Sequence, residues 1–397
     1  MKFIIIGSGI VGLSIAHSLI IRKIVDPKNL LIVDKYSLPS NGTSTHNSGV
    51  LHAGLYYKPN SLKANLSIEG GIKLKYWCEE NNLPILNCGK ILVPFTKKDL
   101  QRIDEIYNNA IKNGCEVKII NYTEAKKLQP GIIKKEKYLW SPKTAVFSPK
   151  QIISKLYKFL KMRGVEFSKK NIIGDNVSQK TLISSDNTFL KYSRYINCAG
   201  PGALEITNTI SNKFKHLTIL PFLGEYGVQK SGLEIKTNLY PVPDPELPFL
   251  GIHLTPRINS STLIGPNAIP IFRRDIQGFD LKELKELPSI ILNNFVLFTL
   301  NKQNYREHSL SELTLNVRNK FYKKSIRYFS EDFANDFQIK MDKSTFGIRP
   351  QLIEKKSLNF INDFLCEEIN ENIHIVNAVS PAFTSCFALA KFIVDKL

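Results

Sequence analysis

The sequence predicts an α/β fold built around a parallel sheet flanked by helices, and three observations predict it. A short apolar strand, Phe3-Ile4-Ile5-Ile6, runs straight into Gly7-Ser8-Gly9-Ile10-Val11-Gly12. A helical pattern follows from about residue 10 to residue 22, with Val11, Ile15 and Leu19 among its apolar positions. A second apolar strand, Leu30-Leu31-Ile32-Val33, ends at Asp34. Strand, glycine loop, helix, strand and acid, in that order, make a Rossmann-like dinucleotide-binding unit.

Each part has a physical task. Gly7 permits the tight turn, Gly9 lets the backbone approach a pyrophosphate, and Gly12 lets the helix pack closely on the strand. Amides at the helix start, around Ile10 and Val11, attract negative charge. Asp34 is placed to accept hydrogen bonds from a ribose, with Lys35 beside it. Asp34 lies further from Gly7 than the ~20 residues usual for the motif, and the insertion Asp26-Pro27-Lys28-Asn29 accounts for the excess as a longer loop. A polar loop then contains Thr43, Ser44, His46, Asn47, Ser48 and Gly49, and runs into apolar Val50-Leu51. Small hydroxyl residues and glycine suit a backbone wrapping phosphates and ribityl hydroxyls. A cofactor buried along its length is FAD more often than NAD, so FAD is expected.

Composition bounds the rest. The chain has 397 residues, 43% hydrophobic and 22% charged, which is ordinary globular usage and excludes a disordered chain. At roughly 150 residues per domain, two to three domains are expected. The net charge of +19 suggests an anionic partner (nucleic acid, anionic lipid or an acidic substrate), or else lysine-heavy compositional drift. Six cysteines without a Cys-x-x-Cys pair argue against zinc and against a disulfide framework, so no metal and a cytoplasmic setting are expected. Lys2 and the apolar run after it resemble the start of a signal peptide, but Gly7, Ser8 and Gly9 interrupt it. No apolar run approaches the ~18–20 residues that cross a bilayer. Membrane contact is therefore expected to be peripheral, at the inner face of the cell membrane.

His46-Asn47-Ser48-Gly49-Val50-Leu51-His52-Ala53-Gly54-Leu55-Tyr56-Tyr57-Lys58-Pro59, continued by Ser61-Leu62-Lys63-Ala64, resembles the signature of the FAD-dependent L-2-hydroxyglutarate dehydrogenases/oxidases. These belong to the D-amino-acid oxidase-like flavoenzyme superfamily. Four later blocks carry the resemblance along the chain: Cys88-Gly89-Lys90-Ile91-Leu92-Val93; Tyr195-Ile196-Asn197-Cys198-Ala199-Gly200; Gly251-Ile252-His253-Leu254-Thr255 with Ile264-Gly265-Pro266-Asn267-Ala268; and Phe346-Gly347-Ile348-Arg349-Pro350-Gln351 followed by Asn377-Ala378-Val379-Ser380-Pro381-Ala382-Phe383-Thr384-Ser385. The chain departs from the family at Pro201-Gly202-Ala203-Leu204, at Gly227 and at Cys386-Phe387.

The resemblance implies a discontinuous Rossmann-like FAD-binding domain of residues 1–80, 145–220 and 340–397. Residues 81–144 and 221–339 would form an α+β substrate domain with a mixed or antiparallel sheet. Ala199 and Gly200 would join the cofactor-binding set. So would Pro381, Ala382, Phe383 and Thr384, at a last helix whose N-terminus faces the flavin. Region 280–335 reads as helical with a break at Pro288. Its basic run at 318–328 suits either an interfacial helix or a solvated face with its aromatics turned inward.

The implied reaction is oxidation of L-2-hydroxyglutarate to 2-oxoglutarate, with hydride transfer to flavin and electrons passed to a quinone or oxygen. The hydroxyl proton needs a base, and histidine titrates near neutrality. His52 is the first candidate, and His253 the second, as base or substrate contact. His46 is assigned to the loop or a phosphate, and His374 to the core. The two carboxylates need cations. Arg349 resembles the arginine that grips the α-carboxylate in amino-acid-oxidising relatives. Tyr57, Lys58, Lys63 and Tyr226 are unranked candidates for the distal carboxylate. The alternatives are another small hydroxy acid, glycerol 3-phosphate or an amino acid and, more remotely, a flavin-holding RNA-binding protein. The expected partners are a small dicarboxylate, an electron acceptor and an anionic membrane surface, with no nucleic acid.

Overall fold

The strand Lys2–Ile6 lies in the middle of a parallel sheet. The order is Asn372–Asn377, Phe189–Asn197, Lys2–Ile6, Leu30–Asp34 and Glu166–Lys169, every neighbour parallel. The computed structural model describes the chain except residues 37, 245–248, 274–280, 313–316 and 335, and the side chains of 281–286 and 343–345. Alternation along the central strand sorts its side chains to two faces. Phe3 and Ile5 join a core with Leu13, Leu74, Ile152 and Leu389, from the helices Ile10–Ile21, Leu62–Glu80, Pro149–Met162 and Ala382–Val394. Ile4 and Ile6 meet Leu182, Tyr192, Tyr195 and Ile206 on the other face. There the first residues of Phe189–Asn197 turn antiparallel to Thr181–Ser184, which pairs in turn with Ile172–Asn176. A strand buried on both faces is why its sequence reads as an unbroken apolar run.

The glycine loop is set by steric contact. Gly7 has φ of +110°, and a Cβ there would lie 2.3 Å from the Cys198 carbonyl oxygen. A Cβ on Gly12 would lie 2.0 Å from the Gly7 carbonyl oxygen. Both contacts are to backbone, so nothing can swing aside. Gly12→Ala is therefore expected to cost about 3 kcal/mol, the upper range for overpacking, and to shed cofactor. Thermal melting and the visible flavin absorbance of the purified variant check it.

A second sheet has nine strands among the described residues. Its spine is the antiparallel pair Leu217–Ser231 and Gln338–Glu354, running from Leu217 opposite Glu354 to Ser231 opposite Gln338, with register shifts between Glu225 and Tyr226 and between Gln229 and Ser231. Thr262–Gly265, His253–Pro256, Asn238–Pro241, Lys90–Val93, Tyr138–Ser141 and Lys118–Ile120 extend it. Only the pairing of Asn238–Pro241 with Lys90–Val93 is parallel among the described pairs, so the sheet is mixed, as expected. The expected boundaries near residues 220 and 340 fall inside the two spine strands.

The helical region needs two corrections. The helix Leu281–Leu300 continues through Pro288, where a break is expected. Pro288 is exposed, and the helix forgoes one hydrogen bond there while Ile290 and Leu297 bury below it. The basic run is a helix, Val317–Ile326, whose Phe321 is fully buried, as is Tyr328 just beyond it. Its aromatics point inward, which answers the two readings left open. Residues 280, 313–316 and 335 of this region lie outside the described residues.

Candidate active site

Ile6, Asp34, Cys198 and Asn377 stand at or just past the carboxyl ends of four parallel strands, and all four line one cavity of about 640 Å³. Open parallel sheets bind ligands at this edge. The nine-stranded sheet closes the other side with Tyr226, Tyr240, His253 and Arg349.

Two helices start on the cavity. Ile10–Ile21 begins after Gly9 and Ala382–Val394 after Pro381; neither has a side-chain cap nor an acid in its first turn. Gly9, Ile10 and Val11 line the cavity, as do Pro381, Ala382, Phe383 and Thr384. Both positive helix ends thus face the same space, which fits a long ligand carrying negative charge along its length. Asp34 is buried, and its Oδ2 accepts from the Ser8 amide at 2.8 Å and the Ser8 hydroxyl at 3.0 Å. Lys35, Ala199 and Gly200 line the same end.

The polar loop is wound on itself beside this wall. Ser44 Oγ accepts from the Ile10 amide at 3.0 Å, standing in for the missing cap. His46 Nδ1–H donates to the Gly42 carbonyl at 3.0 Å, so His46 holds the loop. The Asn47 side chain donates to the Ser44 carbonyl at 2.8 Å and accepts from the Gly49 amide at 3.0 Å. Gly347 lets the spine strand touch the loop, since a Cβ there would lie 2.3 Å from the His46 carbonyl oxygen. Thr43, Ser44, His46, Asn47, Ser48 and Val50 line the cavity. Gly12 and Gly49, expected at the cofactor, do not; Gly12 spaces helix from strand, and Gly49 abuts the Phe147 carbonyl.

At the far end, His52, Tyr57, Lys63, Tyr226, His253 and Arg349 meet. The His52 amide donates to Thr384 Oγ1 at 3.1 Å, which fastens it to the first turn of the last helix. His52 Nδ1 is buried without a partner among the described residues. Burial, then the nearby Lys90, His253 and Lys63, hold its pKa well below the usual histidine value. His253 stacks on Tyr240 with centroids 3.9 Å apart, and its Nδ1–H donates to the Gly251 carbonyl at 2.9 Å. Its Nε2 is left as a buried acceptor. Burial above all, with Arg349 and Lys90 adding to it, lowers the His253 pKa to about 3. Both imidazoles are therefore neutral at pH 7, between cations.

Lys63 reaches the Asn362 carbonyl at 3.0 Å, and burial lowers its pKa to about 8 against the opposing pull of Asp363. Burial raises the Tyr226 phenol, and the Arg349 guanidinium facing it works the other way. Lys58 does not line the cavity. It is exposed, in a turn closed by the Ser61 amide on its carbonyl, because the inward turn of Tyr57 carries its neighbour outward. His374 is fully buried between Thr207 and Tyr195, a core histidine as expected. Sequence reasoning missed Tyr56, Tyr240 and Lys90. Only Lys90 left a signal, as a lysine opening an otherwise apolar strand.

The model of the DAO family, described as FAD dependent oxidoreductase, matches residues 2–396. The chain is 28% identical over 401 residues to the L-2-hydroxyglutarate dehydrogenase of Escherichia coli (strain K12), covering 100% of this chain and 92% of that protein. It is 31% identical over 418 residues to the mitochondrial L-2-hydroxyglutarate dehydrogenase of Dictyostelium discoideum, covering 98% and 91%. Among solved structures, it superposes on FAD-bound L-alpha-glycerophosphate oxidase from Mycoplasma pneumoniae with a TM-score of 0.73, at 18% identity over 99% of this chain and 93% of that one. Glycine oxidase from Geobacillus kaustophilus gives 0.72 at 14% identity, over 99% and 93%. With the fold, the glycine loop and the two helix ends in agreement, the chain belongs to the DAO family of FAD-dependent oxidoreductases.

Proposed function

We propose that the protein oxidises L-2-hydroxyglutarate to 2-oxoglutarate. One observation carries this reading: two neutral imidazoles, His52 and His253, share a cavity with the cations Arg349 and Lys63. That arrangement suits a small dianion with a single hydroxyl. When bound, FAD accepts the two electrons released with the hydrogen of the carbinol carbon.

His52 takes the hydroxyl proton on Nδ1, from a position that Thr384 fixes beside the last helix. His253 offers Nε2 as a second acceptor and orients the hydroxyl. Arg349 holds the α-carboxylate in its planar fork. Tyr57, Lys63 and Tyr226 complete the walls. In the absence of oxygen, L-2-hydroxyglutarate should bleach the visible flavin absorbance rapidly and the D form should not. A protein that holds FAD and does not bleach with the L form overturns the reading.

The electrons leave to a quinone, from an anionic membrane surface rather than to oxygen. The helix Leu281–Leu300 supports the membrane contact. It exposes Ile291, Leu292, Phe295 and Leu300 (47, 60, 62 and 66%) in a stretch without a charged residue from 289 to 300. No helix among the described residues is long and apolar enough to cross a membrane, so contact would be peripheral. Leu292→Asp with Phe295→Asp should lower sedimentation with phosphatidylglycerol vesicles at least ~10-fold and leave flavin bleaching intact. Equal sedimentation of variant and parent excludes this helix as the contact.

A further inference from the structure

Lys90 opens the strand Lys90–Val93 with no exposed surface. Its Nζ donates to the Tyr56 hydroxyl at 3.1 Å and lies 4.7 Å and 4.8 Å from the ring centroids of Tyr56 and Tyr240. The other titratable groups facing it are the thiols of Cys88 and Cys115 and the imidazoles of His52 and His253. None of these is a carboxylate. A buried ammonium without an acidic partner weakens the fold, because desolvation is not repaid by an opposite charge. The cation–π contacts offset part of that cost. A buried cation beside a cavity, met by no acidic residue, marks a place where a ligand can supply the missing charge.

The geometry shows how the ligand would meet it. Tyr56 and Tyr240 both line the cavity, and Lys90 lies directly behind them. The Tyr56 oxygen accepts a hydrogen bond from Lys90 Nζ, which leaves the phenolic hydrogen to donate to a ligand in the cavity. A cation behind a hydroxyl donor strengthens that donor.

We propose that Lys90 is the positioning residue that selects a second carboxylate on the substrate, acting through the Tyr56 hydroxyl. The inference rests on the dicarboxylate reading above and deepens it: Arg349 serves the α-carboxylate, and Lys90 with Tyr56 serves the distal one. Lys90 makes the site specific for dicarboxylic over monocarboxylic 2-hydroxy acids.

The test compares L-2-hydroxyglutarate with L-2-hydroxyvalerate, which has the same carbon chain and no distal carboxylate. Both are assayed on the FAD-loaded parent, Lys90→Met and Tyr56→Phe. In Lys90→Met, kcat/KM for L-2-hydroxyglutarate should fall ~100-fold, mostly through KM, while L-2-hydroxyvalerate changes less than ~3-fold. Tyr56→Phe should move the same ratio by ~10-fold. Spectral titration with glutarate and with valerate should show the same loss of preference without turnover. At pH 6, where Lys90 is charged, the melting temperature of Lys90→Met should not fall, because a neutral isostere replaces an unpaired buried charge. Equal losses on both acids, or an unchanged preference, overturn the proposal. A parent that shows no preference for the dicarboxylate overturns the underlying reading instead. If Lys90→Met fails to hold FAD, Tyr56→Phe decides alone.

Discussion

A His52→Gln variant keeps its FAD and loses ~10²–10⁴-fold in kcat, the usual contribution of a positioned general base. His52 is fastened through its own backbone, so the substitution leaves the Thr384 bond in place. What disappears is an acceptor that is buried and unpartnered. The surroundings of His52 also set the pH profile. Burial and three nearby cationic or basic side chains lower its pKa, so the imidazole is still a base at pH values where a free histidine is already protonated. The acid limb of kcat/KM should therefore lie below pH 6.5. The alkaline limb has a different origin. Lys90 is lowered to about 7 and Lys63 to about 8, both mainly by burial. As pH rises through these values the ammonium groups discharge, and a dianionic substrate loses its counter-charges. kcat/KM should fall between pH 7 and 9 through KM, with kcat nearly flat once substrate is bound. His253→Gln should lower kcat less than His52→Gln. A reversed order would hand the proton to His253.

The two ends of the cavity differ in how far the sequence disclosed them, for a physical reason. At the cofactor end the determinants are local. Gly7, Gly9, Gly12 and Asp34 lie in one strand–loop–helix–strand run, where tight turns and close packing restrict residue type. His52, Tyr57 and Lys63 follow the polar loop closely in sequence, and all three line the same cavity as that loop. The substrate end is assembled by sheet register. Tyr240 stands opposite Leu92, and Asn238 opposite Lys90, across a parallel pairing of strands far apart in sequence. His253 arrives opposite Gly265 on the next ladder. A period of two tells which face a residue takes and not which strand lies beside it. Lys90 and Tyr240 leave no pattern of that kind, and among the four unranked candidates for the distal carboxylate Lys58 alone faces away from the cavity. The expected boundaries at 220/221 and 339/340 fall inside the spine strands for a related reason. Apolar patterning cannot show that one strand of 15 residues and another of 17 pair from end to end across two register shifts.

Arg349→Met should raise KM for L-2-hydroxyglutarate ~10²–10³-fold and leave FAD content unchanged. The range follows from removing one partner of a desolvated, hydrogen-bonded charge pair. Arg349 reaches the cavity from the spine strand, opposite Phe222 on its partner. The strand meets the polar loop through Gly347, so a side-chain change at 349 leaves that backbone contact in place. The guanidinium also faces the Tyr226 hydroxyl and lies 5.8 Å from the Phe249 ring. Methionine keeps the apolar stem against Phe249, so the measured loss reports the charged fork and not a cavity in the wall. Arg349→Lys separates charge from geometry. A lysine restores the positive charge but cannot present two parallel donors to one carboxylate. Its KM should fall between those of the parent and Arg349→Met, with kcat still depressed, because a singly held carboxylate lets the carbinol carbon move relative to His52. Full recovery by lysine would show that Arg349 acts as a point charge. An unchanged KM in Arg349→Met would place it outside the site, as a structural partner of Tyr226 alone.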